Sequence, residues 1–474
     1  MKKLTIIGAG ITGLSAGIHA LEKGYSVDIY EKNNWVGGCC TGWYRNGYYI
    51  DNCMHWLTGT NQHTKLFKLW KHVHAMNETS NLYQGEYFYK SILEGDSISL
   101  YDDLEKTRKE MLKLSIDDKL EINKFINTVK ILSESHKKHN ITFSLYLKGV
   151  GYLKAYKYYR NLSLFDLSNK FKHPLLKLLF TDYLPGTYCS LALIFAYSTF
   201  ASGNGKIYAN GSKEFAENIA KRFISLGGNI HLKHELKHIN IIDNQVDSIT
   251  FKDNTELKVE NLIYTADPYN LFNNLIPYDN IPDKLNTRFT DINSYPPISS
   301  FHIAFLVDKS NLTFNDSIVI NIPKIMIGSN NVTRILLKEY TFLYPKKPKT
   351  VIQVFIPQDI HDYHKWEELY NDKDNYNNYK TKIVQSIKAE IIKQFPSLQD
   401  MEILDSWTPM TYHSYYNSYY GSYMGFTFTK NSKYSFIPYK LKNIKNLLVG
   451  TYWQQICGGL PVGLQIGKEI VNKL

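Results

Sequence analysis

The chain has 474 residues, enough for two or three domains with cores of their own, and its 43% hydrophobic and 21% charged residues describe an ordinary soluble globular protein. No apolar run approaches the roughly 20 residues that span a bilayer, and five cysteines, two of them adjacent, make no disulfide framework and fit a reducing compartment. The net charge of +11 favours anionic partners, but no Lys/Arg block appears, which speaks for a solvated basic surface and against nucleic-acid binding.

The amino-terminal thirty residues organise the rest. Leu4 to Ile7 is a short apolar run of the kind buried in a parallel sheet, and it ends in Gly8-Ala9-Gly10-Ile11-Thr12-Gly13, a G-x-G-x-x-G pattern. A helix-compatible stretch follows to about Lys23, then Gly24, then a second apolar run, Val27 to Tyr30, closed by Glu31. This order is a βαβ half-unit for a dinucleotide. Gly8 permits the tight turn, Gly10 lets backbone approach a pyrophosphate, and Gly13 lets helix and strand pack closely. The phosphates sit on the unpaired N–H groups of the helix start, and Glu31 accepts the ribose hydroxyls. An acid at that position disfavours a 2′-phosphate.

Lys32 leads into Gly37-Gly38-Cys39-Cys40, and the alternating aromatic stretch Trp43 to Asp51, with Asn46-Gly47 at its tip, reads as a hairpin. These features together resemble the flavoprotein group of carotenoid desaturases, carotenoid isomerases and retinol saturases, related more distantly to amine oxidases. The resemblance implies that the dinucleotide is FAD, held by Gly8, Gly10, Ile11, Thr12, Gly13, Glu31, Lys32, Gly37, Gly38 and Cys39. Carotenoid desaturases usually carry Arg after the Gly-Gly pair; Gly-Gly-Cys-Cys followed by a hairpin and His55 looks more like retinol saturases. Asn52 and Cys53 stand where the family commonly has the glycine of Asp-x-Gly.

Residues 64–207 are rich in lysine-bearing apolar segments without a second glycine fingerprint, and read as a largely helical substrate-domain insert. Within it, Ile141 to Asn161 mixes tyrosines with lysines in a way that suits a membrane interface, and Leu191 to Ala201 is an apolar segment too short to span one. Tyr208 to Lys213, a helix from about Glu214 to Leu226 and strands to Ala266-Asp267-Pro268 resemble the family's return to the FAD domain, where the backbone of Leu236 pairs with the adenine.

From about Tyr269 to Ser432 a substrate-binding sheet is expected, with strands at Ser299 to Val307, Thr350 to Pro357 and Met401 to Trp407, and a charged helical stretch from Trp366 to Phe395. Thr408 to Tyr423 resembles the family's substrate-side loop near the flavin. The chain closes with a buried strand ending at Gly450, the turn Gly458-Gly459-Leu460-Pro461 and a helix from about Val462 to Asn472, whose start in this family faces the flavin ring.

Three motif matches are set aside. Gly13-Leu14-Ser15-Ala16-Gly17 matches a nucleophile elbow, but Ser15 falls inside the first helix and not at the strand-to-helix turn. His234-Glu235-Leu236-Lys237-His238 matches a zinc motif that works only on a helix, and its flanks alternate like a strand. Cys39, Cys40, Cys53 and His55 lack the spacing of a structural zinc site. No metal is expected.

The expected fold is α/β: a Rossmann-type FAD-binding domain built from 1–63, 208–268 and 433–474, with a discontinuous α+β substrate domain built from 64–207 and 269–432. The expected function is FAD-dependent oxidoreduction of carbon–carbon bonds, desaturation or saturation, in an apolar polyene or isoprenoid-like substrate. Gly450, Gly458, Gly459, Leu460 and Pro461 join the cofactor site, and His55 and Tyr412 are the candidate catalytic side chains. Alternatives are an amine-oxidase-like flavoprotein, a redox-neutral polyene isomerase and a non-catalytic FAD protein. The expected location is the cytoplasm, with peripheral attachment to the inner face of the membrane left open, and the electron donor or acceptor is undetermined.

Overall fold

The computed structural model describes residues 2–137 and 153–474. Strand β1 (Lys3–Ile7) lies at the centre of a five-stranded parallel sheet, between β2 (Ser26–Glu31) and the strand Leu262–Tyr264, with Asn229–Leu232 and Leu447–Val449 at the edges. The chain leaves β1 through Gly8, whose φ of +102° only glycine adopts readily, enters α1 (Ile11–Glu22) and returns through β2. Because neighbours of β1 are reached in opposite directions, a crevice opens at its carboxyl end, the place where open α/β sheets bind ligands.

The far end of the chain completes this layer. The helix Leu460–Ile470 packs on α1, and Ser15 Oγ donates to the Leu464 carbonyl at 2.8 Å across 449 residues of sequence. Glycines make the approach possible: a Cβ on Gly463 would come 2.8 Å from Thr12 Oγ1, and one on Gly467 2.6 Å from Ser15 Cβ.

The second layer is a seven-stranded sheet in the order Glu402–Trp407, Ser299–Asp308, Lys349–Gln358, Asn330–Glu339, Ser317–Ile327, Tyr87–Leu93, Asp96–Tyr101. Its pairs are antiparallel except between Ser317–Ile327 and Tyr87–Leu93. Ser299–Asp308 is buried along nearly its whole length, so both of its faces are covered. One face carries the helices Ile360–Tyr370 and Lys373–Gln394, the other the helices between residues 104 and 201. Ser190–Ala201 is among these, packed into the core along most of its length and too short to cross a membrane.

Three expectations change in detail. The 64–207 stretch is not all helix: it lends two strands to the sheet, joined by a turn with Glu94 and Gly95 at positive φ. The charged stretch 366–395 is two helices, broken at Asn371–Asp372, where the Asp372 carboxylate caps the second. Of the aromatic and cationic stretch 141–161, residues 141–152 lie outside the described residues, and 153–160 are helical.

Candidate active site

A cavity of about 740 Å³ begins at the crevice beyond β1 and runs between the two layers. That volume lies toward the upper end of small-molecule sites. Gly8, Gly10, Ile11, Thr12, Glu31, Lys32, Gly37, Gly38, Cys39 and Leu236 all line it, as do Gly458, Gly459, Leu460 and Pro461 from the other end of the chain.

The two helix starts meet across this space. At the start of α1, Gly10 has ordinary extended backbone, and a Cβ placed on it would meet nothing within 4 Å. Gly37 donates its N–H to the Ala9 carbonyl at 2.8 Å, closing the Gly-Gly turn over the glycine loop. Gly459, at φ +115°, heads the carboxy-terminal helix, and a Cβ there would likewise meet nothing. Neither helix has an acidic residue in its first turn, so both present bare N–H groups and the positive end of their dipole. An extended anionic ligand fits such a cradle.

Glu31 is fixed by donors at both oxygens. Oε2 accepts from the Ala9 N–H at 2.9 Å, Oε1 from the Asn33 N–H at 2.9 Å. Burial pushes its carboxyl above the ordinary value while these N–H groups pull it down. Lys32 spans to the tyrosine-rich loop, donating to Asn417 Oδ1 at 2.7 Å and the Ser414 carbonyl at 3.1 Å.

Asp51, at the end of the hairpin formed by β3 (Gly42–Arg45) and β4 (Tyr48–Asp51), ties the loop bearing His55 to the returning helix. Oδ1 accepts from the N–H groups of Cys53 at 2.9 Å and Met54 at 3.0 Å and from Ser212 Oγ at 2.7 Å, while Oδ2 accepts from the Ser212 N–H at 2.6 Å. Asp51→Ala strands four donors, three of them buried and one part-buried, so a loss of roughly 3–5 kcal/mol is expected at about 1 kcal/mol or more per donor. Urea unfolding checks it; a loss below about 1 kcal/mol contradicts the role.

His55 lines the cavity, with its ring edge-on to Phe355 at 5.3 Å and its carbonyl accepting from Lys338 Nζ at 3.0 Å. Burial, with the Lys338 charge behind it, holds the imidazole well below its ordinary pKa. It is neutral at pH 7 and presents a hydrogen-bond acceptor; the same burial makes its imidazolium costly, so it is a weak base that can hold a proton only transiently.

Tyr412 requires a correction. It is 2% exposed and does not line the cavity. Its hydroxyl accepts from Trp407 Nε1 at 3.1 Å and donates to Asn52 Oδ1 at 3.2 Å, which makes it a brace behind the wall. From the same tyrosine-rich stretch, Tyr415, Tyr416 and Tyr423 do line the cavity. The tyrosine-rich composition marked the loop, but a strand-like or helical period to separate inward from braced rings is missing there. Gly13 and Gly450 also leave the lining: a Cβ on Gly13 would strike the Gly8 carbonyl, and one on Gly450 would sit 2.5 Å from Ile470 Cδ1. Both are packing glycines.

Asp267, which the sequence reading used only as a landmark, lines the cavity and accepts the N–H groups of Asn270 and Tyr419 at 3.0 Å each. Burial pushes its carboxyl up to about 7. The folded protein therefore holds a proton that the unfolded chain releases near pH 4. The associated stability is present below about pH 4 and is lost as pH rises through about 7. Apoprotein melting curves of wild type and Asp267→Asn should converge at acid pH and separate above it, wild type falling; parallel curves contradict this.

Beyond the glycine cradle the cavity continues as an arm lined by Trp56, Ile131, Leu132, Leu184, Tyr188, Leu191, Ala192, Phe195, Ala196, Phe428 and Ile456. The charged groups of the lining, Glu31, Lys32, Glu235 and Asp267, all belong to the nucleotide end.

A sequence profile of flavin-containing amine oxidoreductases matches residues 11–425. The chain belongs to that family. FAD is its cofactor, which the open cradle at Gly10 and Gly459 fits. Among curated relatives, the 1-hydroxycarotenoid 3,4-desaturase of Flavobacterium sp. (strain P99-3) is 24% identical over 269 residues, which cover 54% of this chain and 54% of that protein. The chain thus spans about half of that relative, whereas it aligns with 98% of the 4,4′-diaponeurosporene oxygenase of Staphylococcus aureus (strain MW2), at 22% identity over 100% of its own length. Cyclohexylamine oxidase from Brevibacterium oxydans IH-35A is a similar solved structure, at TM-score 0.58 and 13% identity, covering 100% of this chain and 98% of that one. At such identity the structural likeness shows the fold, and the expected α/β FAD-binding architecture is borne out.

His234 and His238 do not form a zinc pair on a helix. His234 lies in the irregular link between two strands, edge-on to Tyr30 at 5.6 Å, and His238 is on the strand Leu236–Ile242. Ser15 is buried in α1, not at an elbow.

Proposed function

We propose that this flavin oxidoreductase exchanges a hydride with a carbon–carbon bond of a linear polyene or isoprenoid-like substrate, desaturating or saturating it. FAD supplies a two-electron acceptor and donor. The chain's own part is to hold an extended apolar molecule end-on to the flavin, exclude water from it, and offer His55, neutral at pH 7 and weakly basic, as a transient acceptor of the accompanying proton. The observation that carries this reading is the arm itself: among its described lining residues no carboxylate, lysine or arginine appears, so a protonated amine would be desolvated there without a counter-charge. The names of the two curated relatives, a carotenoid desaturase and a diaponeurosporene oxygenase, point to the same substrate class.

Incubation of holoprotein with linear polyenes, under oxidising and under reducing conditions, tests it by product mass. A change of two hydrogens is expected; unchanged mass with altered retention favours isomerisation, and peroxide formed from polar amines with no polyene conversion refutes the proposal.

Phe195 and Tyr434 line the arm and are also exposed, at 46% and 67%, and Phe436, two residues after Tyr434, is exposed at 66%. A substrate dissolved in a bilayer would enter past these rings, so peripheral membrane attachment belongs to the same proposal. No described helix is long and apolar enough to cross a membrane. Tyr434→Ser with Phe436→Ser should cut co-sedimentation with anionic vesicles several-fold and leave the flavin content intact; unchanged sedimentation removes this element.

A further inference from the structure

The structure contains a second constellation, outside the flavin cavity, at the place where two helices end together. His19 and Glu22 stand three residues apart on α1 and share a face. His72 is the last residue of α2 (Lys65–His72). One ligand atom from each of the three lies within 4.8 Å of the others. His72 Nε2 is 2.9 Å from Glu22 Oε2, and the two imidazole rings are 5.1 Å apart between centroids.

We propose that His19, Glu22 and His72 bind one divalent transition-metal ion of the zinc type. Two imidazoles and one carboxylate, with water in the fourth position, are a ligand set that suits zinc and its neighbours and not magnesium or calcium.

Two further features point to a ligand. His19 Nδ1 is 2.8 Å from the Ser15 carbonyl, and a carbonyl can only accept, so that nitrogen carries the proton and Nε2 presents its lone pair. A backbone carbonyl on the non-ligating ring nitrogen is the usual way a metal-binding histidine is oriented. In addition, α1 and α2 both bring their carboxyl ends to the site, and the negative ends of two helix dipoles favour a cation.

The neighbouring charges set the strength. Arg222 lies 3.7 Å from Glu22 Oε1, which leaves Oε2 for the site, and Lys468 adds positive charge nearby. These two cations oppose the ion, so binding is moderate and not of the order of a structural zinc finger. Binding replaces the His72–Glu22 contact and ties α2 to the helix whose other end holds the pyrophosphate. Metal-dependent stabilisation of the folded chain follows by mass action.

The test uses the flavin-loaded full chain at equilibrium dialysis against zinc with excess magnesium, bound metal being read against the dialysate without desalting, together with melting temperature across a zinc titration. About one zinc per chain and a melting temperature that rises with zinc are expected. His72→Ala, at a position 44% exposed by side chain, and the isosteric Glu22→Gln should each lower zinc affinity by at least the roughly 100-fold that loss of a mere outer partner costs, with flavin absorbance unchanged. A wild-type ratio near zero overturns the proposal. So does zinc that persists in both variants but leaves in Cys53→Ser, since the ion then belongs to the cysteines of the flavin cavity.

Discussion

Gly10→Ala is expected to purify as a folded protein that has lost its yellow colour. The position has φ −72° and ψ 177°, which alanine adopts without strain, and its Cβ would meet nothing in the protein. The space that it would enter is the cradle between the two helix starts, which the proposed site assigns to the pyrophosphate of FAD. A methyl group there blocks its approach to backbone and should weaken FAD binding by 100-fold or more, about 3 kcal/mol. Gly13→Ala separates packing from binding, because its Cβ would collide with the Gly8 carbonyl inside the fold. That variant should fail to accumulate. Circular dichroism with flavin absorbance distinguishes the two outcomes; a yellow Gly10→Ala protein would place the pyrophosphate elsewhere.

This contrast also explains how much the sequence disclosed. The glycine loop, α1, β2 and Glu31 are legible because each is a local device: a turn that needs positive φ at Gly8, a helix start, an acid at a strand end. The hairpin at Asn46-Gly47 was legible for the same reason, both residues having positive φ. Three strands of the large sheet were read within a residue or two, since Ser299–Asp308, Lys349–Gln358 and Glu402–Trp407 are rich in branched and aromatic residues.

Strands Ser317–Ile327 and Asn330–Glu339 were missed. Each has a fully buried stretch and a largely exposed one, the exposed part coming late in the first and early in the second, so neither keeps a single alternation along its length. Site residues that depend on depth were also hidden. Nothing local tells that Tyr412 braces the wall while Tyr416 and Tyr423 reach the cavity, or that Gly450 serves packing. Gly-Gly-Cys-Cys suggested retinol saturases, whereas the two named curated relatives are a carotenoid desaturase and a diaponeurosporene oxygenase. His19, Glu22 and His72 had no motif to show, because His72 reaches the pair from a second helix 50 residues beyond Glu22.

Ala192→Trp should abolish polyene turnover while leaving the holoprotein spectrum unchanged. Ala192 and Ala196 are one turn apart on the helix Ser190–Ala201, and both line the arm well away from the glycine cradle. An indole at 192 fills the bore that an extended chain must occupy. A fall in kcat/KM of on the order of 100-fold or more is expected, about 2.7 kcal/mol of lost transition-state binding. Overpacking costs roughly 1–3 kcal/mol of stability, so the protein should still fold. Ala192→Ser keeps the bore open and should keep activity. If Ala192→Trp turns over polyenes at the wild-type rate, substrate does not travel this arm.

The proposal rests on one pairing: a flavin held by both ends of the chain, facing an arm whose described lining carries no charge. Anaerobic titration of the oxidised holoprotein with diaponeurosporene and, separately, with cyclohexylamine tests it most directly, read as bleaching of the flavin bands. Where the chain works as a desaturase, bleaching by the polyene is expected, with product two hydrogens lighter; where it works as a saturase, the same polyene should reoxidise the pre-reduced protein. The amine should do neither. Bleaching by the amine, with the polyene inert in both directions, would contradict the account.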